Sequence, residues 1–224
     1  DSATLRENVV SLARNIGYTP RSSKSARANI SFIVNTANYS VKPQTITLNK
    51  GIVATSQSFG TESYTFSIME DITVPVVDDI ATFSNIDVYE GTYVTAEFTY
   101  NTFDPNQRYI LPNSNIDVST INVMWKPSQL SSVKRRYRRS DSLFEVTSES
   151  PVYWVHEIED ERYELIFGDG IFGLALQEPN FIEVAYLVNN GSNANGVSDL
   201  SFNGKLTTSR DNVAINAGIS RITV

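Results

Sequence analysis

The chain has 224 residues, 41% of them hydrophobic and 19% charged, and a formal net charge of −7, which suits a folded globular protein of one large domain or two small ones. With no Cys and one His, His156, disulfides, thiol nucleophiles, Cys-ligated zinc and His-rich metal sites are excluded or badly weakened. No run approaches the roughly 18 to 20 apolar residues of a membrane helix, no basic segment leads into an apolar one at the N-terminus, and the negative charge argues against broad nucleic-acid binding; the chain reads as soluble, with no cofactor implied.

Leu5, Val9, Leu12, Ala13 and Ile16 recur at helical spacing, so the chain opens on a short amphipathic helix. Gly17 can cap it and Pro20 prevents easy continuation. Its apolar stripe packs either on its own domain or, as an arm, on a partner. A chain that opens at Asp1 and enters a helix at once reads as a piece of a longer protein.

From Ala28 onward the texture changes to short runs of Val, Ile, Thr, Tyr and Phe between Asn, Gly, Pro and Asp, the spelling of strands and turns. Ile30, Phe32 and Val34 alternate with Ser31, Ile33 and Asn35, and Tyr64, Phe66 and Ile68 alternate with small polar residues, so each run offers one face to a core. Further strands are expected at residues 45–48, 72–77, 86–89, 93–100, 121–125, 152–157, 162–167 and 181–188. Pro75 demotes its strand to a sheet edge. The fold class is therefore mainly β, with antiparallel sheets in two subdomains and a short N-terminal helix.

The stretch NTFDPNQRYILPNSN, residues 101–115, concentrates Asn with Pro105 and Pro112 and marks a subdomain boundary. The expected division is a helical arm over 1–25, a first β-subdomain over 26–112 and a second over 113–224. NNGSNANG, residues 189–196, reads as a tight, mobile turn after a strand.

FGDGIFG, residues 167–173, places Asp-Gly between apolar runs, a hairpin signal that puts Asp169 at the tip. As a ligand site Asp169 would contact a cation or sugar, but the motif lacks a Walker lysine and fits neither a dinucleotide fingerprint nor an EF-hand loop. KRRYRR, comprising Lys134, Arg135, Arg136, Tyr137, Arg138 and Arg139, could bind phosphates with Tyr137 stacking on a base. In an acidic chain it reads better as a solvated strand or loop, or as a patch docking on acidic protein. A hairpin of residues 142–146 with 152–157 would bring Glu157, Glu159, Asp160, Glu161 and Glu164 near this block.

His156 lies among those carboxylates, yet no G-x-S-x-G elbow or comparable nucleophile signature occurs, so it reads as an ordinary strand histidine. Asp78 and Asp79 most simply make a solvated turn, since a glycosidase pair needs a separation across a cleft that sequence does not show. Ten aromatics (Tyr89, Tyr93, Phe98, Tyr100, Tyr109, Trp125, Tyr153, Trp154, Tyr163 and Tyr186) raise a carbohydrate-binding alternative, but most lie in strand runs where core packing is the stronger expectation. Tyr153 and Trp154 must face opposite sides of their strand, which leaves one of the two for an interface.

The order of segments is itself informative. LARNIGYTPRSSKSA at residues 12–26, FSNIDVYEGT at 83–92, LPNSNIDVSTINV at 111–123, and YELIFGDGIFG followed by NFIEVAYLVNNGSNANG together resemble the baseplate wedge proteins of T4-like contractile-tailed phages, within the baseplate J-like family. The resemblance implies a virion scaffolding subunit and no enzyme. It further implies self-association, as a homodimer in the full-length protein, and contacts with other wedge subunits. No catalytic or ligand residues are carried over. The expected interface residues are Lys134 to Arg139, Trp154, Asp169 and the helix stripe Leu5, Val9 and Leu12.

Overall fold

The computed structural model describes residues 22–57, 62–208, 214–215 and 218–224. The helix expected around Leu5, Val9 and Leu12 lies outside the described residues. In chain order the strands are β1 (Arg27–Asn35), β2 (Thr45–Leu48), β3 (Gly51–Ser56), β4 (Thr65–Ile68), β5 (Ile72–Val77), β6 (Ile80–Glu90), β7 (Thr92–Thr99), β8 (Tyr109–Ile110), β9 (Asn122–Lys126), β10 (Arg135–Arg139), β11 (Val152–Glu157), β12 (Tyr163–Phe167), β13 (Phe181–Val188), β14 (Leu200–Phe202), β15 (Leu206–Thr208) and β16 (Ala214–Ile215). The protein is mainly β, and almost all pairing is antiparallel, as the alternating sequence predicts. Among the described residues no helix is long and apolar enough to cross a membrane.

The chain forms two compact units. One is Ser25–Tyr93 with Asn189–Val224; the other is Val94–Val188 with the described residues 22–24. The first is thus discontinuous in sequence. The Asn- and Pro-rich stretch expected as a boundary, 101–115, lies inside the second unit. It reads as a boundary because its turns resemble a linker, but Tyr109 and Leu111 within it are buried in that unit's core.

In the first unit the sheet runs β14-β3-β4-β6-β5-β2-β15-β16, with β1 along the other edge of β6. The eleven-residue β6 pairs with β5 near its start and with β4 near its end, so two branches fold over one core. Ile30, Phe32 and Val34 of β1 point into it with Phe83 and Val88 of β6, and Phe32 stacks on Phe83 at 4.7 Å. Each such buried side chain contributes about 1.5–3 kcal/mol. Two expectations change here. Pro75 does not make β5 an edge, because β5 lies between β2 and β6. The Val76 amide points toward β2, donating to the Gln44 carbonyl at 2.9 Å, so the Pro75 nitrogen points toward β6, where pairing starts only at Val76. Asp78 and Asp79 form the two-residue β5–β6 turn with φ of 49° and 63°, as a primed hairpin turn requires.

The stretch after β13, read as a mobile turn, is anchored. Glu90, at the end of β6, is fully buried, and its carboxylate accepts from the Asn190 amide at 3.1 Å and from Asn190 Nδ2 at 2.8 Å. Ala194 in the following short turn is buried too. The asparagines are thus not only turn residues; Asn190 satisfies a buried charge. Burial still pushes the Glu90 carboxyl up, against those hydrogen bonds.

The second unit is one seven-stranded sheet, β7-β13-β9-β10-β11-β12-β8, in which β10 and β11 run parallel. Its core is rich in tyrosine: Tyr109, Tyr137, Tyr153, Tyr163 and Tyr186 pack with Leu165, Ile182 and Val184. Phe167 takes Tyr109 and Tyr137 edge-on at 5.1 and 5.6 Å. Burial pushes the Tyr109, Tyr153 and Tyr186 phenols up to about 12.

Candidate protein interface

β10 is a strand with four arginines in five residues. Only Tyr137 favours a strand by its own preference, so pairing on both sides decides the conformation. Arg135, Arg136 and Tyr137 lie opposite Trp125, Met124 and Val123 of β9, while Arg138 and Arg139 align with Val152 and Tyr153 of β11. Strand alternation then sorts the basic block into two faces. Tyr137 points inward with 2% exposure, which corrects the reading of it as a base-stacking or interface residue. Arg135 and Arg139 share its face at the rim, and Arg139 binds Asp141 at 2.9 Å.

Arg136 and Arg138 point outward and are exposed. The same face carries Val152, Trp154 and His156 of β11 and Ile166 and Glu164 of β12. Tyr153, on the opposite side, is buried and donates its hydroxyl to the Ile121 carbonyl at 3.0 Å. Lys134 lies 3.7 Å from Glu183, which Lys126 approaches at 3.5 Å.

The FGDGIFG segment is not a hairpin turn. β12 neighbours β11 and β8, whereas β13 pairs across the sheet with β9. A two-residue turn cannot make that crossing, so residues 168–180 form a loop. It is tied down closely: a Cβ at Gly168 would meet the Gly173 carbonyl carbon at 2.2 Å, and one at Gly173 would lie 3.1 Å from Val152 and 3.5 Å from Trp154. The loop therefore packs on the face that carries Arg138 and Trp154. Asp169 is its internal clamp, with Oδ1 accepting from the Ile171 and Phe172 amides at 2.9 and 2.8 Å. Those bonds hold the carboxyl below its usual range.

The turn so held presents Ile171 and Phe172 outward, 70% and 48% exposed. It is bonded to a neighbouring loop, Gly173 N to Thr147 O at 3.1 Å and Leu174 N to Ser150 O at 2.7 Å. That loop exposes Leu143 and Phe144. Residues 142–146 are not a strand, so the hairpin expected to bring the acidic cluster to the basic block does not form, because β11 takes β10 as its neighbour instead. The structure thus gathers Arg136, Arg138, Trp154 and the Asp169 loop on one face and turns Tyr137 away. Sequence reasoning missed the four exposed apolar side chains; the signal was an Ile-Phe pair bracketed by glycines.

The chain is similar to the baseplate wedge protein gp6 of Enterobacteria phage T4. The two are 25% identical over 223 residues, covering 92% of this chain and 32% of that protein. The chain therefore spans about a third of the length of the curated relative it matches. No protein-family model matches it.

A cavity of about 430 Å³ lies beside β12, with Asp104, Glu164 and Asp169 among its lining residues. Arg108 holds Glu164 in a two-pronged pair at 2.8 and 2.7 Å, and this pair keeps its carboxyl low. Glu164 and Asp169 are both held as carboxylates, the opposite of the raised acid that proton donation near neutrality requires. Among the described residues no three His, Cys, Asp or Glu side chains group to hold a metal ion.

Proposed function

We propose that this chain is a structural piece of a phage tail baseplate wedge, which assembles in the host cytoplasm and ends in the virion tail. It works by association with copies of itself, as a homodimer in the full-length protein, and with neighbouring wedge subunits. The observation that carries this reading is similarity to a baseplate wedge protein along 92% of the chain. The outward face of the second unit supports it: two exposed arginines beside loops with exposed apolar side chains form a mixed cationic and apolar surface, as protein interfaces often do. A chain of net charge −7 does not spread such a surface over nucleic acid. The sugar-binding alternative needs a row of exposed rings, and all ten aromatics considered for it are buried or half-buried.

The test is assembly. The chain is mixed with the other wedge subunits of the same phage and the complex mass is measured by light scattering, for the parent and for Arg136→Glu with Arg138→Glu. The parent forms a defined complex and the charge-reversed variant forms less of it, with unchanged stability. A parent that stays alone with every subunit contradicts the proposal.

A further inference from the structure

The stretch after β13 holds two of the chain's three Asn-Gly pairs, Asn190-Gly191 and Asn195-Gly196; the third, Asn203-Gly204, follows β14. An asparagine before glycine is open to an internal reaction, because glycine has no Cβ to keep its amide nitrogen away from the preceding side chain. That nitrogen attacks the asparagine Cγ, and the fold decides which of the three pairs is free to do so.

Two pairs are held at the groups that must move. Asn190 donates Nδ2 to Glu90 at 2.8 Å, and the Gly191 amide donates to Asn189 Oδ1 at 2.8 Å. Asn203 donates Nδ2 to Thr55 Oγ1 at 2.6 Å and its amide to the Val53 carbonyl at 2.8 Å. Gly204 is enclosed as well, since a Cβ there would meet the Phe202 ring at 2.7 Å. Asn195 differs. Both Asn195 and Gly196 are exposed, and among the described residues neither the Asn195 side chain nor the Gly196 amide makes a hydrogen bond. The Asn195 ψ of 131° keeps the Gly196 nitrogen off Cγ, so the peptide between them must turn. The bond that spans it, from the Val197 amide to the Ala194 carbonyl, is long at 3.4 Å and resists the turn weakly.

We propose that Asn195 is a site of spontaneous deamidation, the member of the three Asn-Gly pairs that the fold leaves free to react. The Gly196 nitrogen gives its proton to hydroxide and bonds to Asn195 Cγ, while the Cγ–Nδ2 bond breaks and Nδ2 leaves as ammonia after taking a proton from water. Water then opens the succinimide at either carbonyl, giving aspartate or isoaspartate. The product carries one more negative charge, and the isoaspartate form inserts a methylene into the backbone beside the buried Ala194. Each hydrogen bond that must open before attack slows it about ten-fold, so Asn190 and Asn203 lag Asn195 by at least about that factor.

The experiment incubates the folded chain, and the same chain in guanidinium chloride, in mildly alkaline heavy-oxygen water, and reads the rate at each Asn-Gly pair by fragment-ion mass spectrometry. Folded, Asn195 gains heavy oxygen about ten-fold or more faster than Asn190 or Asn203. Unfolded, the three react at similar rates, because the reacting dipeptide is the same. Asn195→Gln, an exposed change, removes the folded-state signal from this turn, because the longer side chain needs a larger and slower-forming ring. Similar rates at the three sites in the folded chain, Asn190 or Asn203 reacting first, an Asn195 that stays intact when folded while all three react in denaturant, or a folded Asn195→Gln variant whose turn is labelled as fast as the parent's each overturns the proposal.

Discussion

Tyr137 separates a core role from a contact role within one short basic strand. It is 2% exposed and meets Phe167 edge-on at 5.6 Å. Truncation to Ala removes a buried ring and leaves a cavity, which costs about 3–5 kcal/mol in comparable cores. Its hydroxyl, however, has no hydrogen-bond partner among the described residues, and an unsatisfied buried hydroxyl costs about 1–3 kcal/mol. Tyr137→Phe is therefore neutral or stabilising by about 1 kcal/mol, while Tyr137→Ala loses several. Urea denaturation of both variants measures this, and complex formation is measured on the same samples. A Tyr137→Ala variant that stays within about 0.5 kcal/mol of the parent yet fails to assemble refutes the reasoning, because such a surface-like change would make the ring a contact residue after all.

Two further predictions come from the loops and buried acids. Gly168→Ala forces the backbone at Gly173 to move and costs about 1–3 kcal/mol, with altered exposure of Phe172; limited proteolysis that finds the loop unchanged contradicts the close approach. Glu90→Gln keeps an amide oxygen where Oε1 accepts from both the Asn190 amide and Nδ2 and removes a buried charge. The raised Glu90 carboxyl binds its proton more tightly folded than unfolded. Its charge is thus a cost at neutral pH that disappears as pH falls below roughly 4, the unfolded value. The variant gains stability at pH 7 and loses that advantage near pH 4; denaturation curves at the two values check it, and a loss at pH 7 overturns it. The opposite sign holds for Glu164 and Asp169, whose carboxyls are held low. Their contribution is present above the unfolded value and is lost as pH falls through the folded one.

The candidate interface was only partly legible. Alternation in VYWVHE correctly separates Tyr153 from Trp154, because a strand's two-residue period is local. The same rule applied to RRYRR would have sent Tyr137 inward, but nothing local identifies four arginines around a tyrosine as a strand. Asp169 reads as a turn residue from its neighbours and is one. What it clamps, and against which face, depends on β13 crossing the sheet to reach β9, a connection that no nearby residue encodes.

The chain by itself determined the β class, the inward sets Ile30, Phe32, Val34 and Phe66, Ile68, and the turn at Asp78 and Asp79, since each follows from steric preferences spanning a few residues. Only the tertiary structure decided that Asn189–Val224 returns to the unit of Ser25–Tyr93, that Asn190 serves the buried Glu90, and that β12 outruns its short neighbour β8. These depend on contacts between residues far apart in sequence, where many pairings satisfy the same alternation and only packing the whole core selects one.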